Sequence, residues 1–335
     1  MTFSRLVIIV ALPISAPSFA HSTTPVKTLR AHNAEVTSLS WSGDGKTLAS
    51  GDKSGLVIVS DAHTGKTRLR LKYSQAVAAL AFSPDSKILA VGRGREIRLL
   101  NPQTGTPVRV LKLQSDAGKE LDFSSDGRKL MSIEGVYSRD DFAVAVWQLP
   151  EGRLLRHWKR TGDGDLGAAL APNGHTVAIA AEQMELWSIE NGKLLRQWED
   201  TTSKEAPYIT SLAFAPDSRS VAGGGSYFEA AGHFALWNTS GKVSFFDNFQ
   251  DYASALAFSP HNRLLVVGTD YDTVYVDKPR APGGDVFLYD LKTHKRTSTL
   301  RGHKEGVNVV VWSPDGKRLA SGSADHTVKI WQLTP

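Results

Sequence analysis

The sequence predicts an all-β fold made of seven copies of one unit, and two observations predict it. A short phrase, Ser-Pro-Asp-Gly or a near variant, recurs between short apolar segments, at residues 42–45, 83–86, 124–127, 171–174, 215–218, 259–262 and 313–316. By subtraction, successive phrases begin 41, 41, 47, 44, 44 and 54 residues apart. A period of about 40–45 residues is typical of a propeller blade of four strands. We therefore predict a seven-bladed β-propeller.

The parts of each unit follow from their residue types. Pro presets φ while Asp and Gly tolerate a tight bend, so the phrase is a turn. A strand such as residues 36–41 precedes the phrase, and a second strand such as residues 318–321 follows it. A third strand comes next, as at residues 328–331, and a turn such as Thr64-Gly65 then leads to a fourth. No credible amphipathic helix lies between these strands.

The first 20 residues indicate a secretory signal peptide. Arg5 gives a positive start, residues 6–11 are apolar, and Ser18 and Ala20 are small residues at the −3 and −1 positions of a cleavage site. The apolar run is too short to cross about 30 Å of hydrocarbon, and Pro13 interrupts it, which disfavours a membrane anchor. Cleavage would remove Arg5 and no acidic residue, so the formal charge would fall from +5 to +4. We expect an exported protein, periplasmic or extracellular, with no membrane insertion after cleavage.

The composition suits one globular domain after this signal. Hydrophobic residues make up 41% of the chain and charged residues 22%, and Lys and Arg are scattered, which disfavours nucleic-acid binding. The absence of Cys excludes disulfides and thiolate chemistry. We predict a signal peptide over residues 1–20 and a monomeric propeller over residues 21–335. Its repeats are expected at roughly residues 26–66, 67–106, 107–153, 154–193, 194–242, 243–295 and 296–335.

The final repeat, from Gly302-His303 to Trp331-Gln332, resembles a WD40 repeat. The family signature is Gly-His near the start and Trp-Asp at the end, and Gln332 replaces the Asp in this repeat. The other repeats are more degenerate, and His32 is the one further His at the His position. The resemblance covers residues 26 to 335 and is to exported bacterial-type WD40 proteins. It implies a scaffold for protein partners rather than an enzyme.

The two ends of the chain are predicted to close the ring. The last repeat ends just after its third strand, at Trp331, so it lacks an outer strand. Residues 26–29 would supply that strand and leave no open blade, which removes a sheet-edge liability.

Three residues of the last repeat have the types of a catalytic triad but are interpreted, with a fourth residue, as structural. His303, Ser321 and Asp325 could be taken for a hydrolase triad. In WD repeats these positions form, together with Trp331, a hydrogen-bonded tetrad inside one blade, and such a buried network is stable when every member is satisfied. No Gly-x-Ser-x-Gly elbow supports the catalytic alternative.

Three insertions mark the candidate partner-binding face. The third, fifth and sixth repeats are longer than the others, with the excess between the second and third strands at residues 134–142, 226–233 and 269–284. Loops at that place all lie on one face of a propeller. Aromatic residues and Arg in exposed loops are typical of protein-binding hot spots. The predicted partner-binding residues are Tyr137, Arg139, Phe142, Tyr227, Phe228, Glu229, Tyr271, Tyr275 and Arg280.

Two alternatives of other classes stay open. A metal-dependent propeller hydrolase or lactonase would gather acids and His on the central channel, where the sequence places Glu120 and Asp122 from one repeat. A glycan or small-ligand binder would use the insertion aromatics. The acid clusters at Asp163 and Asp165 and at residues 270, 272 and 277 lack the spacing of a calcium loop. The Gly-rich stretch 223–226 lacks the Lys of a phosphate loop. We therefore predict no cofactor and no metal.

Overall fold

The computed structural model describes residues 24–135, 142–160, 167–180, 183–198, 208–226, 232–249, 252–270 and 283–333. In these residues the chain forms 28 β-strands and no helix. The strands make seven antiparallel sheets of four strands each. The predicted all-β, seven-bladed propeller is confirmed.

Each blade is a meander that runs from its innermost strand outward. Blades 1 to 3 consist of β2 (Val36–Trp41), β3 (Thr47–Asp52), β4 (Leu56–Asp61) and β5 (Thr67–Lys72); β6 (Ala79–Phe82), β7 (Leu89–Arg93), β8 (Glu96–Leu100) and β9 (Pro107–Lys112); and β10 (Ala117–Phe123), β11 (Lys129–Glu134), β12 (Phe142–Gln148) and β13 (Arg153–Arg160). Blades 4 and 5 consist of β14 (Ala168–Leu170), β15 (Thr176–Ala180), β16 (Met184–Ser188) and β17 (Leu194–Trp198); and β18 (Tyr208–Phe214), β19 (Ser220–Ser226), β20 (Gly232–Asn238) and β21 (Val243–Phe249). Blades 6 and 7 consist of β22 (Tyr252–Phe258), β23 (Leu264–Asp270), β24 (Val286–Asp290) and β25 (Lys295–Leu300); and β26 (Val307–Trp312), β27 (Arg318–Ser323), β28 (Val328–Gln332) and β1 (Lys27–Leu29).

The first strand of each blade lines the axis. Each of these inner strands contacts the inner strands of both neighbouring blades, and β26 contacts β2 to complete the circle. Because each blade is a meander, the connections from second to third strand and from one blade to the next lie at the same end of the strands. We call this end the loop face. The Ser-Pro-Asp-Gly turns lie at the opposite end.

The ring closes as predicted, through the N-terminal strand. β1 pairs antiparallel with β28, with Lys27 opposite Ile330 and Leu29 opposite Val328. The Val26 backbone N–H extends this ladder with a hydrogen bond of 2.8 Å to the Ile330 carbonyl. The last blade therefore contains strands from both ends of the chain.

The recurring turn phrase is built by local hydrogen bonding. Ser42 and Ser313 each donate a hydroxyl hydrogen bond of 2.6 Å to the Asp two residues later. The fourth residue of the phrase adopts positive φ, as at Gly45 (68°) and Gly316 (67°). Ser86 takes the same conformation (φ 63°) where the phrase lacks Gly. The local chemistry of the phrase thus fixes the turn in each repeat.

Candidate functional site

The four tetrad residues of blade 7 form one chain of hydrogen bonds. His303 Nδ1 lies 2.9 Å from Asp325 Oδ2, and His303 Nε2 lies 2.7 Å from Ser321 Oγ. Trp331 Nε1 donates to Ser321 Oγ at 2.9 Å. Since a carboxylate can only accept, Nδ1 carries the proton and Nε2 accepts the Ser321 hydroxyl. The chain links the connection into blade 7 to strands β27 and β28 and to the turn between them.

Electrostatics favour a neutral imidazole beside an ionised carboxylate. Burial lowers the pKa of His303, and this outweighs the opposite effect of Asp325. Burial alone would raise the pKa of Asp325, but hydrogen bonds from His303, Thr327 and the Lys304 backbone hold it well below its usual range. Ser321 is 0% exposed, so no substrate reaches its hydroxyl. The arrangement is that of a structural network and not of a nucleophile.

Blade 1 contains a shorter version of this network that sequence reasoning missed. His32 Nδ1 lies 2.7 Å from Asp52 Oδ2, and His32 Nε2 lies 2.7 Å from Ser50 Oγ. The His-to-Ser separation of 18 residues is the same as in blade 7, and this spacing was the available signal. The network was not recognised in the sequence because the position of the acid differs between the blades. The acid lies two residues after the Ser in blade 1 but four residues after it in blade 7.

Blade 2 replaces the His network with an ion pair against an aromatic ring. In blade 2, Arg93 Nη2 donates to Glu96 Oε1 at 2.6 Å, and its guanidinium carbon lies 4.3 Å from the centre of the Tyr73 ring. A second pair of this kind joins blades 3 and 4, where Arg160 at the end of β13 donates to Glu185 of β16 at 2.5 Å and lies 4.7 Å from the centre of the Trp187 ring. Blade 3 keeps the Trp–Ser bond, from Trp147 Nε1 to Ser132 at 3.1 Å, and has Glu134 in place of the Asp, which accepts the Gln114 backbone N–H at 2.7 Å.

The predicted partner-binding residues lie mostly outside the described residues. Phe142 is described: it begins β12, is half-buried and pairs with Arg160 of β13. Outside the described residues lie Tyr137, Arg139, Tyr227, Phe228, Glu229, Tyr271, Tyr275 and Arg280, together with residues 1–20 and the acids Asp163, Asp165, Asp272 and Asp277.

The strand ends place the three insertions on the loop face. They join β11 to β12, β19 to β20 and β23 to β24, which are second-to-third strand connections. Their described bases are tied to the body of the propeller. Gly135 donates its backbone N–H to the Asp116 carbonyl at 2.7 Å, and Gly284 donates to the Glu305 carbonyl at 2.9 Å. Thr269 and Asp285 clamp the third insertion through a backbone hydrogen bond of 3.0 Å.

The axis of the propeller encloses a cavity of about 450 Å³ lined by the inner strands. Glu120 and Asp122 of β10 line it, as the sequence predicted. Burial, strengthened by the Asp122 charge, raises the pKa of Glu120 to about 8. Burial raises the pKa of Asp122 to about 6, against the effect of the Leu170 N–H, which donates to Asp122 at 3.1 Å. Ser40 plays the same part in blade 1, where it accepts from Phe82 N–H at 2.8 Å, so Asp122 has a structural role between blades.

The described residues contain no cluster of three or more His, Asp or Glu side chains that could hold a metal ion. The same part of the chain contains no helix long and apolar enough to span a membrane. Within these residues, the channel acids therefore remain a pair contributed by one blade.

The class of protein follows from the fold together with the match to a family model. Residues 23–61 and 294–332 match the WD40 model, described as WD domain, G-beta repeat. These stretches contain the first three strands of blade 1 and of blade 7, each with the outer strand that precedes them in the chain, and these are the two blades with His networks. The fold is a seven-bladed β-propeller of the WD40 type.

Three similar proteins match more than half of this chain. Guanine nucleotide-binding protein subunit beta-5b of Danio rerio is 27% identical over 91% of this chain and 75% of its own length. The WD repeat-containing protein WDS homolog of Arabidopsis thaliana is 25% identical over 91% of this chain. Cell division cycle 20.1, cofactor of APC complex, from the same plant, is 31% identical over 58% of this chain. The chain spans 57% and 43% of the lengths of these two plant proteins. All three relatives are eukaryotic, so they do not support the bacterial type of the sequence-based resemblance.

Proposed function

We propose that this chain is an exported WD-repeat scaffold that binds protein partners through its loop face. The observation that carries the proposal is the common position of the three long connections, after β11, β19 and β23. The sequence of these connections supplies the aromatic residues and Arg that binding hot spots use.

The anchoring of the insertions supports a binding role. Gly135, Gly284 and the pair Thr269–Asp285 fix the points where the insertions leave the sheets. A loop held at both ends by a closed ring loses less conformational entropy on binding than a free segment does. The scaffold would therefore act passively, by presenting a preformed surface.

The similar proteins support the same class of function. By their names, the zebrafish relative is a subunit of a guanine nucleotide-binding protein and one plant relative is a cofactor of a complex. Both names describe proteins that work in assemblies with other chains. This chain, with the same repeats, is proposed to do so with partners of its own compartment.

The test uses three baits in extract of that compartment. The first is residues 21–335, the second carries Tyr227→Ala, Phe228→Ala and Tyr271→Ala, and the third is a control altered at the opposite face. The control changes are Lys46→Ala, Lys87→Ala and Lys317→Ala, at exposed turns. We expect partners that the first and third baits retain and the second loses. Equal recovery by all three baits would contradict the proposed face, and no recovery by any bait would contradict the scaffold.

Export is tested separately at the N-terminus. We expect the protein isolated from its native cell to begin at His21 and to be recovered outside the cytoplasm. A mature protein that begins at Met1 and stays in the cytoplasm would overturn this part of the proposal, whatever the bait experiment shows.

A further inference from the structure

Basic residues that are scattered along the sequence are gathered by the fold onto the perimeter of the propeller. The outermost strands of the blades are β1, β5, β9, β13, β17, β21 and β25. They contain 13 of the 39 Lys and Arg residues but 1 of the 34 acids, Asp247. By subtraction these strands carry +12, and the rest of the chain carries −7 of the net +5.

On one sector of the perimeter the basic residues alternate with exposed aliphatic side chains. Six large hydrophobic residues of the described chain are exposed, and five of them lie on β9, β13 and β17 of the adjacent blades 2, 3 and 4. These five, between 38% and 61% exposed, are Val108, Val110, Leu154, Leu194 and Leu195. The three strands carry seven Lys and Arg residues and no acid. We call residues 107–112, 153–160 and 194–198 the outer patch.

Packing between blades does not account for the exposed aliphatic residues. In blade 1 the outer-strand residues Leu69 and Leu71 are half-buried, because the turn at Gly105 of the next blade lies against them. In blade 2 Arg109 and Leu111 cover the corresponding turn at Gly152 in the same way. Val108 and Val110, which alternate with them along β9, stay exposed.

We propose that the outer patch docks this protein onto the surface of an anionic lipid bilayer. Aliphatic side chains would enter the boundary between headgroups and acyl chains, while Lys and Arg bind anionic headgroups. Such docking needs no membrane-spanning segment. This proposal goes beyond the proposed scaffold function. A propeller that docks by its perimeter would keep its loop face off the bilayer surface and open to partners.

Two features of the patch favour a bilayer over other anionic or edge-binding partners. Proteins that bind single-stranded nucleic acids stack bases on aromatic side chains, whereas the exposed apolar residues of the patch are all Val and Leu. A peptide that adds a strand to a sheet edge pairs with one strand, whereas the patch extends over three blades. The surface of a bilayer is extended and can therefore contact all three blades of the patch at once.

Arg153 and Lys159 are the residues to change first. Other patch cations are engaged: Lys112 Nζ lies 3.0 Å from Glu96, and Arg160 donates to Glu185 at 2.5 Å. The Arg153 and Lys159 side chains are exposed and make no ion pair with another described residue. Their replacement therefore removes charge without breaking such a contact.

The experiment is co-sedimentation of the full mature chain with vesicles. One set contains equal parts of phosphatidylglycerol and phosphatidylcholine, and the other contains phosphatidylcholine alone. We expect binding to the anionic vesicles and a loss of about twenty-fold in Arg153→Gln/Lys159→Gln, since each basic residue near such a surface contributes roughly a five-fold factor. Leu194→Ser/Leu195→Ser should bind at low salt, where the basic residues are enough. It should detach at high salt, because salt screens the charges and the variant lacks the apolar contacts that then hold the wild type.

The matched control removes two charges elsewhere on the perimeter. Lys292 and Lys295 of blade 6 are exposed. Lys295 begins β25, and this strand carries no exposed large hydrophobic residue. Lys292→Gln/Lys295→Gln should change vesicle binding by less than about two-fold if the sector is specific. Equal losses in both charge variants, equal binding to neutral vesicles, or binding to duplex DNA in place of vesicles would each overturn the proposal. Urea unfolding of each variant identifies any loss that comes from misfolding.

Discussion

Blades 7 and 1 differ from blade 2 in how they fill the same place in the repeat. In blades 7 and 1, His303 and His32 connect a Ser and an Asp inside the blade. In blade 2, Tyr73 follows His32 by the 41-residue step, and Arg93 follows Asp52 by the same step. The imidazole and carboxylate are thus replaced by a phenol ring and a guanidinium.

The difference teaches what the fold requires at this place. The connection into each blade must be tied to the end of the second strand, and any buried polar group used there must be satisfied. The His network does this with a neutral imidazole and one ionised carboxylate, whereas Arg93 needs Glu96 as a counter-ion. The family model recognises the His version, but the architecture accepts both.

The largest effect is expected where the His network is broken. His303→Ala leaves Ser321 and Asp325 buried with lost partners, which should lower the free energy of unfolding by about 2–4 kcal/mol. Urea unfolding of the mature chain measures it. The control is His63→Ala, at an exposed turn, with an expected change within about 0.5 kcal/mol. Similar losses in the two variants would show that the network does not stabilise blade 7.

A smaller effect is expected from the ion-pair version. Arg93→Ala removes a buried guanidinium, but Glu96 keeps Arg98 at 2.6 Å and Lys112 at 3.0 Å. The expected loss is about 1–2 kcal/mol in the same urea assay, with Lys87→Ala at an exposed turn as control. If Arg93→Ala cost as much as His303→Ala, the proposed difference between the two kinds of network would be refuted.

The sequence predicted the fold because its signals are local. The turn at residues 313–316 is specified by Ser313, Asp315 and Gly316, which need only one another to form it. The closing strand was predictable because the last repeat ended one strand short. The role of Asp52 was missed because this acid lies two residues earlier in its repeat than Asp325 does. In the folded blade it still reaches the Nδ1 atom of its His. The outer patch could not be predicted from the sequence, because its three strands begin more than 40 residues apart and lie side by side only in the folded propeller.

Acid should weaken the His blades specifically. Burial lowers the folded-state pKa of His32 and His303 below 6.5, so on acidification the unfolded chain binds protons first. Their contribution to stability is full above pH 6.5 and falls as the pH drops toward the folded-state pKa. The free energy of unfolding should therefore fall between pH 7 and pH 5, by a smaller amount in His303→Gln. Urea unfolding across this range checks it, and identical pH slopes would contradict the role of His303.

The channel acid Glu120 should have the opposite pH dependence and the smallest effect. Its folded-state pKa is raised to about 8 by burial and by Asp122, so the folded chain holds a proton that the unfolded chain loses above about pH 4.5. This contribution to stability is full below that pH and is lost as the pH rises through 8. Glu120→Gln keeps the neutral shape and removes the titration, so its urea midpoint should exceed that of the wild type at pH 8 and match it at pH 5. Asp122→Asn is the comparison, because the smaller rise of its pKa, to about 6, predicts a smaller gain that is already complete near pH 6. Since both side chains are only half-buried in the channel, water reduces both differences. A gain of the same size at pH 5 and pH 8 would mean that Glu120 is ionised throughout and that the channel does not raise its pKa.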